Sequence, residues 1–112
     1  MNIDEAQALV AKSKARWISD EKATEMANKI FERIGTLASA GFESAFIRPS
    51  NFFLVDKQSK PESYLPATYH PDWLSTNQDF WHMVREKIAA KGFQIKLDME
   101  NTITLDFTVG WL

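Results

Sequence analysis

Hydrophobic positions in this chain follow two different periods. From Ile3 to Ser39 there is no proline, alanine is abundant, and apolar residues recur at spacings of three and four, which predicts helix. Ile3, Ala6, Val10 and Trp17 fall on one face, whereas Met26, Ala27, Ile30, Ile34 and Leu37 fall on a face rotated away from it. One straight helix cannot bury both stripes against one surface, so a break is expected. Charge agrees: Asp4 and Glu5 open the first segment and Lys12, Lys14 and Arg16 close it, as the helix dipole favours. Ser19, followed by Asp20 and Glu21, then has the makings of a fresh N-cap. The pattern predicts helices over about 3 to 17 and 20 to 39, the second stopped by Gly41.

Toward the carboxyl end the period becomes two. Phe93, Ile95, Leu97 and Met99 alternate with polar residues, and so do Ile103, Leu105, Phe107, Val109 and Trp111, which predicts an amphipathic hairpin. Opposed residues must share a face. A three-residue loop over 100 to 102 satisfies that rule, pairs Met99 with Ile103 and Phe93 with Val109, and leaves Asn101 or Thr102 to carry any unusual backbone. Ahead of the hairpin, Ser75 and Gln78 have capping-box spacing, Phe80, Trp81, Val84 and Ile88 form a helical stripe, and Gly92 stands where a C-terminal glycine belongs.

The middle of the chain carries less pattern. Phe42, Ser44 and Phe46 alternate with Glu43, Ala45 and Ile47, and Asn51 to Val55 is β-prone, so one or two strands are expected there, separated by Pro49. Strand periodicity assigns Phe42 and Phe46 to the core. Pro61, Pro66 and Pro71, with polar residues between them, predict an ordered surface loop from Asp56 to Pro71. The expected fold class is therefore α+β: two N-terminal helices, a small mixed or antiparallel sheet ending in a C-terminal β-hairpin, and a third helix packed on it, in one domain over 1–112.

Composition narrows the function more than it defines it. With 45% hydrophobic and 25% charged residues over 112 positions, the chain matches ordinary globular proteins and can form a core without staples. No cysteine is present, which removes thiolate metal sites and cysteine nucleophiles and suits an intracellular protein. The amino terminus lacks the basic-then-apolar pattern of a secretory signal, and no window reaches the roughly 20 apolar residues of a membrane span, so a cytoplasmic location without membrane attachment is expected. Thirteen basic against fifteen acidic residues give a net charge of −2, a poor footprint for a duplex DNA binder.

Candidate chemistry is sparse. Asp79, His82 and Glu86 share one helical face and resemble a ligand set, but that face lies opposite the apolar stripe and reads as a solvated charged surface. His70-Pro71-Asp72 reads as loop and cap chemistry. The four glycines are scattered, and no nucleophile elbow, phosphate loop or zinc-binding helix occurs; a non-enzymatic protein without a cofactor or metal is expected. Nine of the fourteen aromatic residues fall between Phe42 and Trp81. Tyr64, Tyr69 and Trp73 lie in or beside the proline-rich loop, flanked by Arg48, Lys57 and Lys60; such aromatics pin a loop or present a binding surface, and aromatic planes beside cations suit a nucleotide or a single-stranded nucleic acid. These six residues are the candidate binding site.

The order of elements, the run I-x-x-x-A-x-x-G over Ile34 to Gly41, the run K-I-A-A-K-G-F over Lys87 to Phe93 and the final Gly110-Trp111-Leu112 resemble small accessory proteins of tailed bacteriophages. That resemblance covers arrangement over most of the chain and implies a protein that binds a host or viral partner, a signal nucleotide or another virion component. It supplies no catalytic residue. Taken with two helical stripes that a short sheet cannot both cover, the expectation is a binding module that forms a small homo-oligomer and engages a host or viral protein; the alternatives are a nucleotide-sequestering protein and a minor virion part.

Overall fold

In the computed structural model, which describes residues 1–49, 72–98 and 105–112, the two predicted N-terminal helices are separate. Helix α1 spans Ile3–Trp17 and α2 spans Asp20–Ser39. Ser19 makes the break stable, because its side chain accepts the Lys22 N–H at 3.2 Å and so caps a new helix two residues after the last one ends. At the far end of α2 the chain turns through Gly41, at φ +93°, while the Gly41 and Phe42 N–H groups donate to the Ala38 and Leu37 carbonyls. This paired closure needs a left-handed residue, which glycine supplies without strain.

Strand β1 (Ser44–Ile47) follows, then a 3₁₀ turn (Asp72–Thr76), helix α3 (Gln78–Ala89), strand β2 (Gln94–Leu97) and strand β3 (Phe107–Gly110). The chain is α+β, with an antiparallel sheet in the order β1-β3-β2. The last strand in sequence is thus the central one. Helices α2 and α3 pack on each other and on one face of the sheet, and Lys87 Nζ donates to Asp20 Oδ1, which puts the end of α3 beside the start of α2.

One core lies between these layers. Ala23, Met26, Ala27, Ile30 and Ile34 come from α2, Phe80, Trp81, Val84 and Ile88 from α3, and Ala45, Ile47, Phe107 and Val109 from the sheet, all buried. The stripes predicted for α2 and α3 are the ones that face inward. Trp81 sits at its centre, edge-on to Phe80 at 5.4 Å and 6.3 Å from Phe107, and its indole N–H donates to the Leu74 carbonyl at 2.8 Å. A buried indole needs such an acceptor, and the 3₁₀ turn provides it.

Four expectations change. The cap of α3 is Asn77, not Ser75: Asn77 Oδ1 accepts the Phe80 N–H at 2.8 Å, and Ser75 lies inside the 3₁₀ turn. The inward face of β1 is Ala45 and Ile47, not Phe42 and Phe46, which are 58% and 51% exposed. Pairing decides this, since Ala45 stands opposite Val109 and Ile47 opposite Phe107, both core residues, and register carries faces with it. The hairpin pairs Ile95 with Val109 and Leu97 with Phe107, two residues out of the predicted register. An even shift keeps the faces, and it brings Phe93 to Trp111, edge-on at 6.5 Å, with Phe31 of α2 on the other side of Phe93 at 5.8 Å. Finally, Leu97, the last residue of β2, is 45% exposed; among the described residues β2 pairs with β3 alone and so stands at a sheet edge. The predicted Met99–Ile103 loop pairing, the second strand over 51 to 55 and the loop over 56 to 71 lie outside the described residues.

Candidate functional site

Helix α1 is well built and poorly buried. Asn2 Oδ1 accepts the Glu5 N–H at 2.9 Å, the Ile18 N–H closes the far end on the Lys14 carbonyl at 2.7 Å, and the charges at both ends oppose the dipole correctly. Yet Trp17 is its one buried residue. Ile3 is 72% exposed, and Leu9 and Val10 are each 54% exposed. The predicted stripe of Ile3, Ala6, Val10 and Trp17 therefore reaches the core only at its last member. A helix of about 15 residues is marginal in water without a packed face.

Two clefts flank the open stripe. One, of about 350 Å³, lies between Val10, Ser13 and Lys14 on α1 and Trp73, Thr76 and Asn77 at the start of α3. The other, of about 260 Å³, is lined by Leu9, Lys12, Ser13, Arg16 and Trp17. Ser13 belongs to both, so they meet across the helix. Trp17, which lines the second, has Arg16 Cζ 5.2 Å and Lys22 Nζ 5.3 Å from its ring centre. Cations over an indole are attracted by the negative face of its ring.

The six residues singled out from the sequence do not all meet here. Trp73 does, as a wall of the larger cleft. Arg48 is elsewhere: its Nε donates to Asp106 Oδ2 at 3.2 Å and its guanidinium lies 5.6 Å from the centre of the Phe46 ring. Register explains the pair, since continuing the β1–β3 ladder by one residue sets position 48 opposite 106. Asp106 is buried, and Arg48 is half exposed. Lys57, Lys60, Tyr64 and Tyr69 lie outside the described residues.

No protein family, curated protein or solved structure matches this chain. The functional reading rests on its own surfaces.

On the sheet face away from the helices, the exposed Phe46 ring, Thr108 and Lys96 form one row across the three strands. On α3, His82 Nε2 and Glu86 Oε1 are 2.9 Å apart and each is about two-thirds exposed, on the solvated face read from the sequence. Among the described residues no group of three or more His, Asp or Glu side chains is placed to hold a metal ion. Arg85 is less ordinary: its guanidinium lies over the Phe107 ring at 5.8 Å, and its buried Nη1 has no hydrogen-bond partner among the described residues. Burial pushes its pKa below the ordinary arginine value.

Sequence periodicity singles out neither Leu9 nor Asp106. On the α1 helical wheel Leu9 stands beside the stripe; Asp106 occupies a polar position of an alternating strand, and nothing in its spacing marks it as buried.

Proposed function

We propose that this chain is a non-enzymatic binding module that works as a small oligomer and engages a protein partner through α1. The observation that supports the reading is a capped helix with one buried residue, three exposed large aliphatic side chains and clefts on both sides. Exposed apolar side chains grouped on one element are costly in water and are a common mark of a contact site. Charge is peripheral to it, so the partner surface is apolar at its centre with a polar rim. The resemblance to phage accessory proteins fits a host or viral protein in that role.

The test is affinity capture from a bacterial lysate with the wild-type chain and with Leu9→Asp and Val10→Asp. Capture of a defined protein by the wild type and its loss in both variants, with unchanged melting temperatures, is the expected result. Equal capture by all three overturns the assignment to α1.

A second reading, nucleotide binding, draws on the sheet face, where Phe46 offers an exposed ring and Arg48 and Lys96 offer cations. Titration with mono-, di- and cyclic nucleotides should then quench tryptophan fluorescence and the response should vanish in Phe46→Ala. A flat titration removes this reading.

A further inference from the structure

We propose that the flank of α1 carrying Leu9, Lys12 and Arg16 docks an acidic peptide segment of the partner protein, with a large apolar side chain set beside its carboxylates. This rests on the reading of α1 as the contact element and names the chemistry that element recognises.

The exposed side of α1 is not uniform. Ile3 and Val10 lie on one flank, and Leu9, Lys12 and Arg16, at i, i+3 and i+7, lie on the other, with the buried Trp17 between them. The second flank holds the cleft of about 260 Å³. Its described lining joins exposed Leu9 and buried Trp17 to two basic residues, Lys12 and Arg16, and includes no acid.

Those two cations lack a counterion. Among the described residues no carboxylate lies within ion-pair distance of Lys12 or Arg16, whereas Lys22, the other cation over the Trp17 ring, meets Glu25 Oε2 at 3.4 Å. Lys12 and Arg16 are four residues apart on one face, the spacing at which like charges repel. The helix dipole favours Arg16 in the last turn, but that effect fades before Lys12. A carboxylate brought between the two relieves the repulsion, and an apolar neighbour of it covers Leu9.

Volume and charge order select the class of occupant. Sites that enclose a small molecule run from about 300 to 1,000 Å³, so this smaller, open cleft suits one or two side chains of a peptide. Glu5 lies on the same flank seven residues before Lys12, roughly 10 Å along the helix axis. A continuous polyanion or an anionic membrane lying along the helix would meet that acid. A peptide can place its carboxylates at the Lys12–Arg16 end alone.

Panning a display library of random dodecapeptides on the wild-type chain tests this. Enriched clones should pair Asp or Glu with a large apolar residue a few positions away. The best of them, titrated as a free peptide, should bind K12E/R16E and K12Q/R16Q about tenfold or more weakly, with helix content by circular dichroism unchanged. Panning on K12E/R16E should enrich Lys and Arg instead. No enrichment, enrichment without an acidic bias, or acidic clones bound equally by K12Q/R16Q overturns the proposal. So does binding of oligothymidylate or of phosphatidylserine vesicles that is lost in K12Q/R16Q. The failures are separable: clones without acidic bias whose binding is lost in Leu9→Asp keep α1 as the contact element and remove only the acidic chemistry, whereas clones indifferent to Leu9→Asp remove both.

Discussion

At the scale of single residues, the buried acid just before β3 is the least expected feature. Asp106 is 2% exposed, holds Arg48 on one oxygen and leaves Oδ1 without a hydrogen-bond partner among the described residues. Removing one partner of such a pair strands the other charge, whereas replacing both with apolar groups removes the desolvation cost as well. Arg48→Ala should therefore destabilise the protein by on the order of 1 to 3 kcal/mol, and the double change R48M/D106L should recover much of that loss, as read from urea unfolding midpoints. A cost for the double change equal to the single one would show that the carboxylate stabilises on its own. Arg85 makes the converse case. Its aliphatic stem and its position over Phe107 contribute packing, while its buried Nη1 has no hydrogen-bond partner among the described residues, so Arg85→Met should leave the unfolding midpoint unchanged or raise it.

Single elements depend on their ends. Asn77 fixes where α3 starts by taking the Phe80 N–H, and that start in turn aims Phe80 and Trp81 into the core. Asn77→Ala should cost about 1 kcal/mol in thermal or urea unfolding. Gly92, at φ +96°, ends the same helix in a conformation that a side chain resists, although open space surrounds the position where a Cβ would stand. Gly92→Ala should thus destabilise by about 1 kcal/mol through backbone strain alone, and Gly92→Asn, which tolerates this region better, by less. If Gly92→Ala were the milder of the two, steric crowding rather than φ would be deciding the turn.

For the whole molecule, the decisive fact is that β3 pairs on both sides. Phe107 and Val109 are fully buried, and Trp111 packs against the core beside Phe93. Phe107→Ala should cost about 3 to 5 kcal/mol against a total stability of about 5 to 15 kcal/mol. Deleting Gly110 to Leu112 should remove the cooperative melt or lower its midpoint sharply, and Trp111→Ala should lower it by several degrees. His82→Ala, on an exposed face of α3, should leave it within experimental error. A neutral Trp111→Ala, with the indole fluorescing as if in water, would show that this ring does not support the sheet.

Local rules were sufficient wherever a residue's fate depends on its near neighbours in the chain. The break at Ser19, the bounds of α1 and α2, the glycine stops at 41 and 92 and the inward stripes of α2 and α3 all follow from periodicity, capping and the dipole, and these act over one or two turns. Pairing between distant strands does not follow from them. Whether Phe46 or Ile47 faces the core depends on which residue of β3 lies opposite, and a shift of one residue exchanges the faces while a shift of two, as in the hairpin, leaves the pattern intact and only changes the partners. The same holds for the candidate surfaces: the stripe on α1 was legible, but its exposure was not, because amphipathicity states that a face will be covered and says nothing of by what. Arg48 shows the limit most directly, since its acidic partner lies 58 positions further along the chain and only the sheet register brings the two together.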